Sequence, residues 1–280
     1  MSSPADFLRF IRFSHTVFAL PFALGAMFVA AGGWPRARVA FGVVAAMVCA
    51  RTAAMAFNRI ADWEIDKRNP RTAGRHRLAS RRLALAACIV CSAGFLVSAW
   101  WLNPICFVLS PAALGIIFFY SLTKRFTHFA QFFLGIALSV SPVGAWLAVT
   151  GAFALPPLVL ALSVLLWVAG FDLIYATQDY EVDLRDGLRS MVVRLGVPGA
   201  LRLAVWLHAG AFLGLVAFGL SARMGPVYFS AMAAVLASLI YEHLEARRGS
   251  IASINRAFFQ ANAIVGCAFV AGTLLDCLLR

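Results

Sequence analysis

Half of the acidic residues in this chain lie in two short segments with the same order of residue types. The segments are DWEID at 62–66 and DYEVD at 179–183, and together they hold six of the 12 aspartate and glutamate residues. Within each segment the two aspartates are four residues apart, which places their side chains on one face of a helix. Mg²⁺ combines one or two such carboxylates with water and phosphate oxygens. The two segments therefore predict a Mg²⁺ site that also binds a diphosphate.

Further polar residues extend each aspartate pair at helical spacing. Each stripe has four members: Arg51, Asn58, Asp62 and Asp66 in the first, and Asp172, Tyr175, Asp179 and Asp183 in the second. If the two helices face each other, the four repeated aspartates surround one cavity, and their mutual repulsion favours bound cations. The alternative is that carboxylates at a membrane boundary only cap helices and pair with arginines. Two matched copies favour the shared site over this alternative.

The elements that must position these residues are membrane helices. The chain is 62% hydrophobic and 13% charged, with a mean hydropathy of +0.85, which is outside the range of soluble domains. Apolar stretches of about 20 residues span a bilayer as helices, because a helix satisfies its own backbone hydrogen bonds. Nine stretches are predicted: 10–31, 38–58, 83–101, 104–120, 129–150, 157–177, 199–220, 225–245 and 258–279. We interpret residues 1–280 as a single all-α membrane domain, with the first stretch as a helix rather than a signal peptide.

The distribution of basic residues predicts the orientation of these helices. With the amino terminus inside, only Arg36, Arg38, Arg223 and Arg280 fall outside, and the other 20 lysines and arginines lie near the inner face. The long inner connections 58–82 and 179–199 carry both acidic segments, and the connections 124–125 and 242–256 are short. The sequence therefore predicts an N-in, C-out integral membrane protein, with a central cavity that opens to the cytoplasmic face. The net charge of +12 follows from this bias and does not indicate nucleic acid as a partner.

Two charged residues and the cysteines fall inside apolar stretches. Charges within the membrane usually line a cavity, which we expect for Arg51 and Asp172, although Arg51 is long enough to reach the interface instead. All six cysteines lie in apolar stretches, and we interpret the CxxC at Cys88 and Cys91 as packing residues rather than a redox or metal site.

Several motifs resemble the signatures of the UbiA family of intramembrane prenyltransferases. They are NRxxDxxxD at 58–66, DxxYAxxDxxxD at 172–183, YxxxK at 120–124, and the basic elements Arg71-Thr72-x-x-Arg75 and Arg189-Ser190. The prediction of nine helices agrees with that family, so the resemblance covers essentially the whole chain.

The resemblance implies a role for each residue of the predicted site. Mg²⁺ would be held by Asn58, Asp62, Asp66, Asp179 and Asp183. The polyprenyl diphosphate would be bound with the help of Lys124, Tyr120, Arg71, Arg75 and Arg189, and Asp172 and Tyr175 would line the same substrate cavity. Ionisation would give an allylic cation that an aromatic ring attacks at carbon. Rings that face such a cation are candidates for stabilising it, with packing against lipid as the alternative role: Phe57, Trp63, Phe171 and Tyr175.

The aromatic acceptor stays open at this point. Segments 14–22, 54–59 and 69–75 resemble the 4-hydroxybenzoate polyprenyltransferase-like branch, which includes enzymes of the futalosine route to menaquinone. Asn58-Arg59 in place of Asn-Asp fits that branch, whereas residues 78–81 lack the usual Pro-x-Gly turn. The candidate acceptors are 4-hydroxybenzoate (ubiquinone route) and 1,4-dihydroxy-6-naphthoate (menaquinone route), with homogentisate, chlorophyllide and haem as alternatives. We expect Arg51 to bind the carboxylate of an aromatic acid, and His15 either contacts the acceptor or lies at the membrane interface.

Two other classes of membrane protein also use carboxylates. CDP-alcohol phosphotransferases need an Asp-Gly and Ala-Arg arrangement that is missing between Asp62 and Asp66. Cation transporters need polar groups through the whole bilayer, and the outer halves of these helices carry almost none. Both are less favoured than a prenyltransferase.

Overall fold

The computed structural model describes residues 4–12, 18–68 and 72–280, and every regular element in these ranges is helical. The α-helices α1 to α13 run over Pro4–Phe10, Leu20–Ala31, Ala37–Ala61, Trp63–Arg68, Arg81–Leu102, Pro104–Thr123, Ala130–Thr150, Leu155–Ala176, Tyr180–Arg185, Met191–Ser221, Pro226–Ala246, Ile251–Arg256 and Asn262–Leu278. Short 3₁₀ helices cover Ala73–Arg77 and Thr177–Asp179, and a π turn covers Ala257–Ala261.

The long helices make this chain an integral membrane protein. Eight helical stretches are long and apolar enough to cross a bilayer: Ala37–Ala61, Arg81–Leu102, Pro104–Thr123, Ala130–Thr150, Leu155–Arg185, Met191–Ser221, Pro226–Ala246 and Ile251–Leu278. They correspond to eight of the nine predicted stretches, so the all-α membrane fold is confirmed. The first predicted stretch contains Leu20–Ala31, an apolar helix of 12 residues, and also residues 13–17, which lie outside the described ranges. The count of nine and the orientation therefore stay predictions.

Local sequence signals set the ends of several helices. Asn103 caps α6, because its side chain accepts a hydrogen bond from the Cys106 amide at 2.9 Å, and Pro104 follows at the first helical position. Ser190 caps α10 in the same way through the Val193 amide at 3.2 Å. Gly151 ends α7 with φ of 68°, a left-handed conformation that glycine adopts without strain.

Helix α8 lies at the centre of the bundle, packed mainly against α7 and α10, while α3 packs against α5 and α6. Small residues allow the close approaches, as is common between membrane helices. A Cβ atom at Gly135 of α7 would lie 2.5 Å from the Leu165 carbonyl oxygen, and one at Gly170 of α8 would lie 2.3 Å from the His208 ring. These contacts fix α8, which carries the second aspartate stripe, against both neighbours.

Helices α11 and α13 are joined at the end of the bundle away from the acidic segments. Asp276 of α13 is buried, and its carboxylate accepts hydrogen bonds from the Gly225 and Tyr228 amides at 2.8 and 3.2 Å. These amides belong to the first turn of α11, where backbone donors lack partners within their own helix. Arg280 also contacts this carboxylate. A residue of one helix thus caps the start of another.

Both acidic segments begin at an irregular turn of their helix, so the expectation that one regular α-helix carries each stripe was wrong. Helix α3 ends at Ala61, and the Asp62 amide is shared between the carbonyl oxygens of Asn58 and Ile60, which tightens the last turn. Asp66 then belongs to the separate helix α4. On the other side the 3₁₀ helix Thr177–Asp179 separates α8 from α9. The aspartates nevertheless converge, because each irregular turn only redirects the short segment after it.

Candidate active site

The aspartate stripes line one polar cavity of about 310 Å³. Twelve of the thirteen predicted site residues contribute to its wall: Arg51, Asn58, Asp62, Asp66, Arg75, Tyr120, Lys124, Asp172, Tyr175, Asp179, Asp183 and Arg189. Arg71 and His15 lie outside the described residues. The structure therefore brings together residues that are up to 138 positions apart in the sequence.

Asp62 is held by cations from the loop after α6. Its side chain is only 5% exposed, and Oδ2 accepts a hydrogen bond from Lys124 Nζ at 2.7 Å. Asn58, one helical turn earlier, donates to the same oxygen at 3.3 Å. Arg125 lies 3.6 Å from Oδ1, which is buried and has no hydrogen-bond partner among the described residues. The Tyr120–Lys124 motif thus delivers its lysine directly to the first acidic cluster.

Asp66 pairs with two arginines from its own half of the chain. Arg75 Nη1 donates to both carboxylate oxygens at 2.9 and 3.0 Å, and Arg59 Nη1 lies 3.3 Å from Oδ2. The Thr72 hydroxyl donates to the Asp66 carbonyl oxygen at 2.9 Å, which ties the following loop back onto α4. Asp62 and Asp66 therefore lie side by side but have separate sets of cations.

The second stripe lies on α8 and the segment after it. Asp172, Asp179 and Asp183 line the cavity from this side, with Tyr175 between them. The Tyr175 hydroxyl accepts a hydrogen bond from Arg12 Nη1 at 2.8 Å, although the two residues are 163 positions apart. Arg12 has φ of 48°, and non-glycine residues in this left-handed region cluster at functional sites.

Hydrogen bonds to main-chain carbonyl oxygens join the two halves of the site through the loop between α6 and α7. The Arg189 amide donates to the Lys124 carbonyl oxygen at 3.0 Å, and Arg189 Nη1 donates to the Phe126 carbonyl oxygen at 2.9 Å. His128 Nδ1 lies 3.1 Å from the Ser190 carbonyl oxygen. Lys124 therefore contacts the first acidic cluster with its side chain and the second half of the protein with its backbone.

Several cavity residues were missed from the sequence. Arg12, Arg59, Thr72 and Gln131 line the wall in addition to the predicted residues. Arg59 had a local signal, since it follows Asn58 inside the first motif. Arg12 had none, because only the fold brings the amino-terminal segment to α8.

The two glutamates of the acidic segments are not among the lining residues of this cavity, whereas two of the candidate aromatic rings are. Glu64 is exposed and pairs with Lys67 at 3.0 Å, and Glu181 is also exposed. Phe171 and Tyr175 line the cavity.

Two of the four candidate rings do not contribute to this cavity, and for them the alternative role in packing holds. Phe57 stacks on Phe118 with ring centroids 4.6 Å apart. Trp63 packs against a cluster around Phe10 and Met55. Neither is among the described residues that line the polar cavity.

An apolar chamber of about 350 Å³ continues from the polar cavity, between α3, α5, α6 and α7. The two spaces share Ala19, Arg51, Tyr120 and Leu138 as wall residues. Alanine and glycine form much of the chamber wall, and its far end is reached at Leu102, Leu147 and Phe153. Arg51 stands at the junction, and its Nε is buried without a hydrogen-bond partner in the part of the chain that the structure describes.

The polar cavity offers the donor atoms that Mg²⁺ prefers. Carboxylate and amide oxygens are its usual protein ligands, and the buried Oδ1 of Asp62 is free of hydrogen bonds from described residues. Within the described ranges, no three acidic, histidine or cysteine side chains form a metal-binding group on their own. The residues therefore fit an ion that completes its shell with water and phosphate oxygens.

The fold and the site define an integral membrane protein with a cavity lined by acidic and basic side chains, and this cavity leads into an apolar chamber. The chain belongs to the UbiA prenyltransferase family, whose sequence model matches residues 19–264. It is therefore a prenyltransferase, as the motifs predicted.

Individual relatives agree with this assignment over most of their length. The chain is 31% identical over 261 residues to the 4-hydroxybenzoate octaprenyltransferase of Nitrosospira multiformis, covering 92% of this chain and 89% of the relative. It is also 31% identical to the enzyme of the same name from Alkalilimnicola ehrlichii, covering 90% and 87%.

Solved structures show the same fold. The apo structure of a UbiA homologue from Aeropyrum pernix K1 has a TM-score of 0.85 at 33% identity, covering 94% of this chain and 98% of that one. A UbiA homologue from Archaeoglobus fulgidus, bound to GPP and Mg²⁺, has a TM-score of 0.74 at 20% identity, covering 98% and 99%.

Proposed function

We propose that this protein transfers a polyprenyl group from a polyprenyl diphosphate to a ring carbon of 4-hydroxybenzoate, with Mg²⁺ as cofactor. The observation that carries the proposal is the cavity of acidic and basic side chains that opens into an apolar chamber. A diphosphate with a long isoprenoid tail has the matching shape, since one end is highly charged and the rest is apolar. The names of the two bacterial relatives support the choice of acceptor.

The polar cavity binds the diphosphate. Mg²⁺, held by Asn58, Asp62, Asp66, Asp179 and Asp183, would neutralise phosphate oxygens and favour departure of the diphosphate. Lys124 and Arg75 donate hydrogen bonds to Asp62 and Asp66, and their positions in the cavity make them donors to phosphate oxygens as well. Arg189 and Arg71 belong to the same basic set.

The reaction proceeds by ionisation and capture. The bond between the allylic carbon and oxygen breaks, its electron pair leaves with the diphosphate, and the basic side chains stabilise the departing charge. A ring carbon of the acceptor then forms a bond to the allylic carbon and loses a proton. The apolar chamber holds the tail and excludes water, which would otherwise capture the cation.

Arg51 binds the carboxylate of the acceptor. It lies where the polar cavity meets the apolar chamber, next to the position that the allylic carbon must occupy. Its buried Nε has no hydrogen-bond partner among the described residues, and a carboxylate is the ligand that a guanidinium binds in bidentate geometry. The bias of basic residues towards the predicted inner face supports a site on the cytoplasmic side of the membrane.

The test is release of diphosphate by detergent-purified protein. A polyprenyl diphosphate and Mg²⁺ are combined with 4-hydroxybenzoate, with 1,4-dihydroxy-6-naphthoate, or with homogentisate, and the prenylated product is identified by mass spectrometry. We expect turnover that requires Mg²⁺ and is fastest with 4-hydroxybenzoate. Faster turnover with the naphthoate would contradict the acceptor and support the menaquinone route, and no turnover with any aromatic acceptor would contradict the proposal as a whole.

A further inference from the structure

The π turn Ala257–Ala261 interrupts the last membrane-spanning stretch beside the polar cavity. A π turn inserts a residue into a helix at a cost in hydrogen bonding, and such turns are frequent at functional sites. Its second residue, Phe258, is buried and lines the cavity, whereas Phe259 and Gln260 are exposed. The turn therefore presents one aromatic side chain to the site.

Three residues on one face of α11 hold this turn by hydrogen bonds. The Ser238 hydroxyl donates to the Ala261 carbonyl oxygen at 2.9 Å, and the Tyr241 hydroxyl donates to Gln260 Oε1 at 3.0 Å. Glu242 accepts from Asn262 Nδ2 at 3.0 Å. Ser238, Tyr241 and Glu242 occupy positions i, i+3 and i+4 of α11, and residues at this spacing lie on the same side of a helix.

Asn262 connects this helix face to Phe258. Its Nδ2 donates to Glu242 Oε1 and also to the carbonyl oxygen of Phe258, at 2.8 Å. Asn262 and Glu242 are both fully buried. A polar pair in the membrane interior usually serves to join helices, but here one donor also binds the backbone of the residue that faces the cavity.

Phe258 lies against the second aspartate stripe. Its ring centroid is 4.4 Å from that of Tyr175, which lies between Asp172 and Asp179 on the same stripe. Phe171 and Phe18 complete the contacts, at 5.4 and 5.1 Å with nearly perpendicular rings. The Phe258 ring thus shares the polar cavity with the carboxylates of the proposed diphosphate site, where positive charge would develop on the allylic carbon of the substrate. The face of an aromatic ring attracts such a charge.

We infer that Phe258 contacts the allylic group of the substrate and that Asn262, supported by Glu242 and Ser238, is a positioning residue that holds Phe258 there. This inference rests on the proposed function. It assigns a kinetic role to a polar pair that lies outside the cavity.

The test is a double-mutant cycle with Phe258→Leu and Asn262→Leu, measured as kcat and KM for the diphosphate substrate. We expect each single variant to lower kcat about tenfold with little change in KM, because the lost interaction is made in the transition state. The double variant is expected to be no slower than Phe258→Leu alone, since Asn262 acts through that ring. Phe258→Trp is expected to retain most of the activity.

Two further variants keep the test decisive. Ser238→Ala removes a single hydroxyl from the same face of α11. It replaces Asn262→Leu in the double-mutant cycle if that variant does not fold. Tyr228→Phe is the matched control, because it removes a buried hydrogen bond from α11 to the Leu215 carbonyl oxygen, at 2.7 Å, without contacting the π turn. We expect its kcat to be unchanged.

Multiplicative losses in the double variant would overturn the inference, and so would normal kcat in Phe258→Leu. Both results require an active wild type, so they are distinct from failure of the proposed function, in which the wild type itself releases no diphosphate.

Discussion

Asp62 and Asp66 differ in the origin of the cations that hold them. Asp62 is paired with Lys124 from a distant loop, whereas Asp66 is paired with Arg59 and Arg75 from its own half. Removing either carboxylate is therefore expected to have two effects, since it deletes a proposed metal ligand and leaves a neighbouring cation without its partner.

Replacing Asp62 by Asn tests this position with little change in shape. We expect kcat to fall about a hundredfold or more, because the amide cannot supply a charged ligand at the site of departing diphosphate. The measurement is diphosphate release over a range of Mg²⁺ concentrations. Glu64→Gln is the matched control, since Glu64 is an exposed carboxylate two residues away. Equal losses in both variants would contradict a specific role for Asp62.

Arg51 is expected to affect one substrate more than the other. A hydrogen-bonded charge pair contributes about 1.5–3 kcal/mol, so Arg51→Gln should raise the KM for the aromatic acid roughly ten- to a hundredfold. The KM for the diphosphate should change much less. Steady-state kinetics with each substrate varied in turn measures both values. A similar rise in both would show that Arg51 does not discriminate between the substrates.

At the scale of elements, α6 and α7 contribute small residues to the wall of the apolar chamber, among them Ala112, Ala113, Gly144 and Ala145. Gly144 lines the chamber, and a Cβ atom added there would meet nothing within 4 Å. The chamber volume of about 350 Å³ is many times the roughly 30 Å³ that one water molecule occupies in the liquid. It is therefore large enough for the isoprene units next to the reacting one.

Gly144→Phe is expected to make the enzyme selective for short substrates. Each CH₂ group kept out of an apolar site costs about 0.8 kcal/mol, so kcat/KM for geranyl and longer diphosphates should fall at least about tenfold. Dimethylallyl diphosphate, whose five carbons need only the polar cavity, should be affected less. Competition between the two substrates measures the ratio directly. Gly115→Phe is the control, because Gly115 is exposed and outside the chamber lining; an equal shift in it would exclude the chamber as the cause.

The contact between α13 and α11 is expected to matter for stability rather than for catalysis. Asp276→Asn weakens the acceptor for the Gly225 and Tyr228 amides, and losing a helix cap costs about 0.5–2 kcal/mol. We expect a lower Tm in detergent with kcat unchanged, measured by thermal unfolding and by diphosphate release on the same sample. A loss of kcat without a change in Tm would contradict this division of roles.

For the whole molecule, the asymmetry of basic residues makes a prediction about orientation. Alkaline phosphatase fused after Arg280 should be active and a fluorescent protein fused there should be dark, because the carboxyl terminus is expected outside. Fusions after Arg248, in the connection between α11 and α12, should give the opposite result. Activity of the phosphatase at Arg248 would reverse the assignment and place the site on the outer face.

The sequence was sufficient for the long membrane helices and for most of the charged residues of the cavity wall, because hydropathy and helical spacing are local properties. What it could not predict depends on contacts between distant segments. Glu242 was expected in an inner connection, but α11 continues to Ala246 and buries it against Asn262. Arg12 and Phe258 reach the cavity only through packing against α8, and no spacing within their own segments indicates it.

The backbone hydrogen bond from the Arg189 amide to the Lys124 carbonyl oxygen affects which loops of this protein can change in length. The separation of the two acidic clusters depends on the hydrogen bonds between the short loop 124–128 and residues 189–190, in addition to the packing of the membrane helices. Extra residues in the connections at the far ends of the helices, such as the one at Gly151, leave that separation unchanged. One residue inserted between Lys124 and His128 shifts the lysine away from Asp62 or breaks the bond to Arg189, so this loop has a fixed length in any active variant.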